Sequence, residues 1–351
     1  MEETMENLFS TIKIKNLALG NRIVMPPLAV KNPETDGFVN DVVINYYSEM
    51  SKLGMGLVIT ENAFVTHDSR IMPNQLLISD DMFIDGHRKL VKSIHDNGIP
   101  VALEINHGGI NIKEVPEVRG MLSNLEEKEF VFNGGPKEGI GYSSLKEIPI
   151  KEINRIVKFF GEAAKRAKLA GYDMVEIHSA HGFLLNQFLS PITNNRNDKY
   201  GGNLKNRMRL LLEVVEEVRG NVGENFPISV RFPLSDNPPQ KEICPGGLKP
   251  EEGIIIAREL EHIGVDYIDV SGGYCGSRPR ELKNIEGYFV PYAKILKENL
   301  KIRVNVTGGI KTPQFANEII KNGWADTVGI GRALLLNKNW IKEAKEKLVS
   351  F

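Results

Sequence analysis

Apolar positions along the chain alternate between two rhythms. Stretches with apolar residues three and four apart, at 41–53, 80–97, 151–170, 204–219, 250–263, 290–299, 312–321 and 333–348, predict amphipathic helices. In the fourth of these, Met208, Leu211, Leu212, Val215 and Val218 share a side, while Arg209, Glu213, Glu216 and Glu217 occupy the others. Between the helices lie short runs that are apolar at nearly every residue. Five of them follow a repeated pattern, a helix end, a glycine and then the apolar run: KLGMGLVIT (52–60), DNGIPVALEI (96–105), LAGYDMVEI (169–177), HIGVDYIDV (262–270) and NGWADTVGI (322–330). Glycine past a helix C-terminus lets the chain turn left-handed before it enters a strand. With RIVMPP (22–27), PISVRF (227–232) and IRVNVTG (302–308) the count reaches eight strands. Thr312-Pro313 opens a helix as a cap followed by proline at the first helical position.

Eight alternating β and α units predict a (β/α)8 TIM barrel, taken as a single domain over residues 1–351. A doubly wound open sheet is the alternative, and the lack of Gly-x-Gly-x-x-Gly after the first strand counts against it. The longest irregular stretch, His107 to Pro149, follows strand 3 and contains Gly134-Gly135-Pro136. In a barrel it is expected to overhang the C-terminal face as a cap.

Composition narrows the functional classes. Among 351 residues, 41% hydrophobic and 25% charged is ordinary for a globular protein with a large core. A formal net charge of −1 gives no general attraction to nucleic acid or anionic membrane. The two cysteines, Cys244 and Cys275, are too few for a disulfide framework or a four-cysteine cluster, which fits a reducing compartment. No apolar run approaches the ~20 residues of a membrane span. The start, Met-Glu-Glu-Thr-Met-Glu-Asn, is acidic rather than basic as a signal peptide would be. A cytoplasmic protein acting on small molecules is expected, without nucleic-acid or membrane partners; a homo-oligomer stays open.

Barrel enzymes place their active sites at the C-terminal strand ends. Reading those ends in order gives Pro26-Pro27-Leu28-Ala29, Glu61-Asn62, Glu104 to His107, His178 to His181, Arg231, Ser271-Gly272-Gly273, Gly308-Gly309 and Gly331-Arg332. The last two pairs sit where barrels hold phosphates: glycines expose backbone N–H groups, and Arg332 adds charge. Ordinary turn glycines are the rival explanation, and the placement of both pairs at the standard phosphate position favours the phosphate. His178 and His181, three residues apart where strand 4 runs out, are able to donate to one small ligand atom. Zinc is the rival for this pair, but it finds neither cysteine nor His-Glu-x-x-His spacing. Residue patterns alone leave open whether the phosphorylated ligand is substrate or cofactor.

The segments HSAHGFLLNQFLSPITNNRNDKYGGNLKNRMR, GNRIVMPPL, GLVITENAFV, VRF, GVDYIDVSGG, VNVTGGIKTPQ and ADTVGIGRALL span nearly the whole chain in one order. Together they resemble the Old Yellow Enzyme family of FMN-dependent NAD(P)H oxidoreductases, in its single-domain form. That resemblance implies non-covalent FMN, with Pro26, Pro27, Leu28, Ala29, Asn62, Glu104 and Arg231 around the flavin ring. It implies Gly308, Gly309, Gly331 and Arg332 at the phosphate, and His178 and His181 as catalytic hydrogen-bond donors to the acceptor. The implied reaction takes hydride from NADH or NADPH to a carbonyl-conjugated alkene, the work of an ene-reductase.

Three positions depart from the family pattern. Phe183 stands where a proton-donating tyrosine is usual, Glu104 replaces the flavin-contacting glutamine, and Ala29 replaces a potential-tuning threonine or cysteine. Glu104 is similar to the trimethylamine dehydrogenase branch, which makes a flavin-dependent amine dehydrogenase an alternative; that branch attaches its flavin to a cysteine that this region lacks. Longer relatives, the dienoyl-CoA reductases among them, append an iron–sulfur cluster and a second domain. This chain ends soon after its eighth helix, so electrons are expected directly from a nicotinamide or a separate protein. A dihydrouridine-synthase-like barrel is disfavoured by charge, and an FMN protein with another acceptor remains open. Tyr142 and Tyr274 are candidate replacement acids. His67, His87, His95 and His262 are expected at the surface or in packing, and Cys275 is expected to be an inert thiol.

Overall fold

The computed structural model describes residues 6–30, 32, 34–111 and 147–349. Most of the stretch from His107 to Pro149, Tyr142 included, lies outside the described residues, as does any cap built from it. Eight strands form the barrel: β1 (Ile23–Met25), β2 (Leu57–Phe64), β3 (Val101–Asn106), β4 (Met174–His178), β5 (Ile228–Pro233), β6 (Tyr267–Ser271), β7 (Arg303–Thr307) and β8 (Thr327–Gly329). Each pairs in parallel with its neighbours, and β8 pairs with β1, which pairs with β2, so the sheet closes without an edge. The register sets Glu104 opposite Glu176, His178 opposite Arg231, and Arg231 opposite Asp269. Against β3 the register of β2 shifts between Thr60 and Ala63, and this irregularity spans Glu61 and Asn62. Bulges of this kind re-aim side chains near active sites.

The helices α1 (Asp41–Ser51), α2 (Ile84–His95), α3 (Ile150–Ala170), α4 (Arg209–Val222), α5 (Pro250–His262), α6 (Val290–Asn299), α7 (Pro313–Lys321) and α8 (Trp340–Val349) surround the strands. Their ends follow local chemistry. The Asn40 side chain accepts from Val43 N–H to start α1, Thr312 does the same from Phe315 to start α7, and Gly171 at φ 98° stops α3. Two predicted helices are each broken. The stretch 204–219 divides at Met208 into Leu204–Arg207 and α4. The stretch 333–348 divides into Arg332–Leu336 and α8, because Asn337 leaves the helical region and its side chain accepts from Asn339 N–H.

Several elements have no counterpart in the predicted pattern, among them a two-residue strand, Leu76–Leu77, that pairs with the end of β2; two others shape the barrel floor and the site. An antiparallel hairpin, Ile12–Ile14 with Leu17–Leu19, precedes β1. Its Ile12, Ile14 and Leu19 pack with Val24, Leu57, Ile59, Ala102, Met174 and Tyr267 in one apolar cluster that fills the N-terminal half of the barrel interior. Within the connection after β4, a six-residue helix, Leu184–Leu189, is buried throughout. No helix among the described residues is long and apolar enough to cross a membrane.

Candidate active site

The site is built around the end of β4. All five residues of this strand are buried, and His178 is its last. The chain then turns sharply: His181 sits at φ 57° and Gly182 at φ 72°. A left-handed histidine is uncommon and is held only where the surroundings fix it. They do so here. His181 N–H donates to Gly272 O (3.1 Å) and Gly182 N–H to Asn186 Oδ1 (2.8 Å), while Gly182 O accepts from Gln187 Nε2 (2.6 Å) and Asn111 Nδ2 (2.8 Å). Asn186 and Gln187 belong to the buried six-residue helix, so that helix serves to pin the histidine turn.

The turn brings the two imidazoles together, with ring centroids 4.9 Å apart. Their partners differ. His181 Nε2 lies 2.6 Å from Ser271 Oγ. His178 Nδ1 lies 3.0 Å from Glu104 Oε2, and His178 Nε2 is buried with no hydrogen-bond partner among the described residues. The Phe183 ring stands edge-on to His178 at 4.9 Å. Among the described residues no third ligand joins the histidines into a group able to hold a metal.

Beneath the imidazoles the barrel interior is charged. Arg231 Nη1 is 3.3 Å from Glu104 Oε2, and its Nε is 3.2 Å from Asp269 Oδ2. Asp269 Oδ1 accepts from Asn305 Nδ2 and Thr307 Oγ1, and Glu176 Oε2 accepts from Ser229 Oγ. Burial pushes the Glu104 carboxyl up, but His178 and Arg231 beside it outweigh that and hold it below the usual range. At Glu176 burial, then repulsion by Asp269 and Glu104, outweighs Arg231 and the Ser229 hydrogen bond and raises the carboxyl well above normal. Asp269 is also raised by burial, with Arg231 opposing. Burial, then the charges of Arg231 and His178, lowers His181 well below an ordinary histidine. Glu104 and Arg231 are therefore one interacting pair.

On the other side of the rim, Glu61 is buried by the β2 irregularity, and burial lifts its carboxyl to about 8, with a hydrogen bond from the Val30 backbone opposing. Tyr47 Oη accepts from Glu61 N–H (2.7 Å) and donates to Leu28 O (3.4 Å), tying β2 to the Pro26–Ala29 loop. Across the barrel, a Cβ on Gly309 (φ 69°) would sit 2.4 Å from the Tyr288 ring, and one on Gly308 would sit 2.6 Å from the Phe289 ring. Only glycine fits on that ledge. Arg332 Nη2 donates to Tyr288 Oη (3.3 Å), which donates to Ser277 O (2.7 Å). Asp236, fully buried, accepts from Ser190 Oγ, Leu248 N–H, Asn186 Nδ2 and Tyr274 N–H, joining the loops after β4, β5 and β6. Cys275 is buried, and burial raises its thiol well above normal.

Pro26–Ala29, Asn62, Glu104, His178, His181 and Arg231 all lie at the C-terminal ends of β1 to β5, and Gly308, Gly309, Gly331 and Arg332 at those of β7 and β8. Glu176, Asp269, Asn305, Asp236 and Tyr288 escaped the sequence reading. For Glu176 and Asp269 the signal was present, a charged residue inside an otherwise apolar strand; for Asp236 and Tyr288, in loops, nothing marked them.

A closed parallel barrel with its polar groups gathered at the C-terminal rim is the frame of a barrel enzyme, and its glycine ledge opposite an imidazole pair suits an elongated phosphorylated cofactor. The sequence model of the NADH:flavin oxidoreductase / NADH oxidase family matches residues 7–350, and the chain belongs to that family, of the Old Yellow Enzyme type. An "NADH oxidase" of Thermoanaerobacter brockii is 38% identical over 344 residues, 97% of this chain and 51% of that protein. The chain thus spans about half the length of that relative. An "NADPH dehydrogenase" of Clostridium acetobutylicum is 34% identical over 334 residues, 95% of this chain and 93% of that protein. Morphinone reductase in complex with tetrahydroNAD superposes with a TM-score of 0.78 at 26% identity, covering 97% of this chain and 91% of that one. An old yellow enzyme homologue from Zymomonas mobilis gives 0.79 at 24%, covering 98% and 93%, a likeness of fold.

The residues present fit FMN. Two buried polar atoms at the rim, Asn62 Oδ1 and Glu104 Oε1, have no hydrogen-bond partner among the described residues and await a polar ring edge. Gly309 and Gly331, half-buried at the rim ends of β7 and β8, lie next to the exposed Arg332, the charge a phosphate would need.

Proposed function

We propose that this barrel passes hydride from NADH or NADPH to a small carbonyl-conjugated alkene. The observation that carries the reading is the buried, unpartnered Nε2 of His178 beside a second imidazole. A buried polar atom of this kind costs stability unless a ligand satisfies it, and a carbonyl oxygen does so. As negative charge develops on that oxygen, the pre-placed imidazoles stabilise it without reorganising.

FMN, when bound, supplies the hydride relay between nicotinamide and acceptor. Pro26, Pro27, Leu28, Ala29 and Asn62 would wall its ring, Glu104 and Arg231 would meet the polar edge, and Gly308, Gly309, Gly331 and Arg332 would hold the phosphate. Reduced flavin gains negative charge, which Arg231 favours and Glu104 opposes. The names of the relatives, an NADPH dehydrogenase and a morphinone reductase, agree with a reduced nicotinamide as donor and a reducible small molecule as acceptor. Two free, buried cysteines suit a reducing cytoplasm, and the net charge of −1 favours small molecules over nucleic acid.

The test is anaerobic turnover of the FMN-loaded protein with NADH or NADPH and 2-cyclohexenone, read as nicotinamide oxidation and saturated ketone formed. Flavin that is reduced by nicotinamide yet reoxidised only by oxygen or a quinone would sink the alkene reading.

A further inference from the structure

We infer that Asp236, on the connection after β5, is a positioning residue of the acceptor site: through the Asn186 amide it holds the turn that aims His181. What His181 meets rests on the alkene reading above; what holds His181 rests on geometry. Asp236 is fully buried. The four donors its carboxylate accepts from are neutral: two backbone N–H groups, a hydroxyl and an amide. Glu104 and Asp269, by contrast, face the guanidinium of Arg231. A buried carboxylate met only by neutral donors costs desolvation that those hydrogen bonds offset in part. Burial accordingly raises the Asp236 carboxyl, with the hydrogen bonds opposing. The neighbouring loops close tightly around it. A Cβ on Gly273 would lie 2.5 Å from Asp236 Oδ1, and one on Gly247 would lie 2.8 Å from the Asp236 Cβ.

The hydrogen bonds run in one direction. Gly182 N–H only donates, so Asn186 must present Oδ1 to it (2.8 Å), and that orientation sends Nδ2 to Asp236 Oδ1 (3.2 Å). An acceptor at position 236 therefore keeps the amide from turning over, which would set Nδ2 against Gly182 N–H. Asp236 also secures the other side of the same turn. Its Oδ1 accepts from Tyr274 N–H (3.3 Å) and its backbone O from Cys275 N–H (2.9 Å). The chain just before them supplies Gly272 O to His181 N–H (3.1 Å) and Ser271 Oγ to His181 Nε2 (2.6 Å). His181 at φ 57° depends on such contacts, because a side chain in that region relaxes once they are released.

A chain of bonds with a direction is open to reversal. Asn186→Asp keeps an acceptor for Gly182 N–H but sets two carboxyls against each other. With one proton between them, the new O–H replaces the amide N–H and the turn is kept. Once that proton leaves, like charges push apart and the turn is lost. Two carboxyls sharing a site raise the pKa of one of them. The variant is therefore intact at low pH and fails as pH rises. Adding Asp236→Asn places the carboxylate at 186 and the amide at 236, so the same bonds run backwards with the wild-type net charge. The one contact left wrong is Tyr274 N–H, which then faces an amide nitrogen.

The experiment follows reoxidation of the dithionite-reduced, FMN-loaded protein by stopped flow, each variant as its ratio to wild type at the same pH. Cyclohexenone is one acceptor; ferricyanide, which takes single electrons and has no carbonyl to orient, is the other. A misplacement of ~1 Å caused away from the reacting atoms can cost about 10²-fold. Asn186→Asp should stay near wild type at about pH 6 and lose cyclohexenone rate on that order toward about pH 9. Its ferricyanide rate should not change. Adding Asp236→Asn should recover most of the loss and abolish the pH dependence, a non-additive pair. Asn186→Ala should be slow with cyclohexenone at every pH and gain nothing from Asp236→Asn; it covers the case where Asn186→Asp fails to fold. Ser190→Ala, which removes a donor to the other Asp236 oxygen, should lower Tm and leave both acceptor rates alone. Independently of turnover, hydrogen exchange of the peptide carrying Gly182 should quicken in Asn186→Asp at high pH and return to wild type in the double variant. A pH-independent Asn186→Asp ratio, a double variant slower than Asn186→Asp at high pH, unmoved exchange, or cyclohexenone slowed as much by Ser190→Ala as by Asn186→Ala each overturns the role of Asp236. A wild type that reduces ferricyanide but no enone fails earlier, at the acceptor reading, and the exchange data then decide by themselves whether Asp236 holds the turn.

Discussion

The two halves of the barrel interior are made from the same strands and obey opposite rules. The N-terminal half is closed by Ile12, Ile14 and Leu19 of the hairpin against Val24, Leu57, Ile59, Ala102, Met174 and Tyr267, a cluster of apolar side chains, tyrosine apart. Above it the same strands present Glu104, Glu176, Ser229, Arg231, Asp269 and Asn305, all buried and all polar. In the lower half, removal of apolar surface from water stabilises the barrel. In the upper half, buried charges cost desolvation that their pairing at best repays. The difference teaches where the fold stores stability and where it spends it. The upper half keeps buried charges where a purely structural core would hold leucines, the arrangement on which the proposed ligand site rests.

The largest break in that comparison is Arg231→Leu. It leaves Glu104 and Asp269 without the cation they share at 3.3 and 3.2 Å. Removing one member of a buried charge cluster typically costs about 3–5 kcal/mol, so Tm should drop by several degrees and FMN binding should be lost with it. A Tm within a degree of wild type would mean that the carboxyls simply take up protons. Ile14→Ala is the matched cut in the lower half. Ile14 is fully buried, and such truncations cost about 2–5 kcal/mol. Thermal unfolding should show the loss, while FMN affinity and turnover at 25 °C stay near wild type. Activity that falls in step with stability would show that the halves are not separable.

How much of this was readable beforehand follows the same division. Helix ends and strand runs follow local signals, the glycine after a helix and the Thr312-Pro313 cap, and they fall where the pattern puts them. The hairpin did not announce itself, because Ile-Lys-Ile and Leu-Ala-Leu are too short to carry a period and are defined by the barrel floor they plug. The rim residues were found by listing strand ends, which presupposes only the barrel. What stayed hidden was pairing: Glu104 with His178, and Arg231 with both Glu104 and Asp269, join residues up to 127 apart in sequence. No spacing rule encodes such contacts. Likewise, the breaks at Met208 and Asn337 sit inside unbroken helical periodicity, where side-chain and loop contacts override the pattern.

Between the two halves stands Glu61, buried at the β2 irregularity with its carboxyl at about 8 against an ordinary 4.5. Its sign is that of a raised acid. The folded state holds the proton more tightly than the unfolded chain. Its contribution is therefore fully present below about pH 4.5 and is lost as pH rises through about 8. Over that window Glu61→Gln should remove a downward slope of at most about 1.4 kcal/mol per pH unit from the stability curve. Chemical unfolding of both proteins at several pH values reads this directly, and parallel curves would mean that Glu61 ionises normally. The Tyr47 bridge to Leu28 adds a local readout: above pH 8 the Pro26–Ala29 loop should loosen in wild type and not in the variant, measured by hydrogen exchange.

The smallest effect is expected at the far rim. Arg332 is exposed and donates to Tyr288 Oη at 3.3 Å, so Arg332→Ala should leave Tm nearly unchanged. Its value lies in the ligand. A hydrogen bond to a charged group is typically worth about 1.5–3 kcal/mol, and exposure puts this one at the lower end, so FMN should bind about tenfold more weakly. Riboflavin, which lacks the phosphate, should bind wild type and variant alike, and raised salt should narrow the FMN difference because the contact is screened. Fluorescence titration of the flavin-free protein with both ligands separates the two. Equal loss for FMN and riboflavin would place Arg332 at the ring rather than at the phosphate, and would move the cofactor's polar end away from Gly308, Gly309 and Gly331.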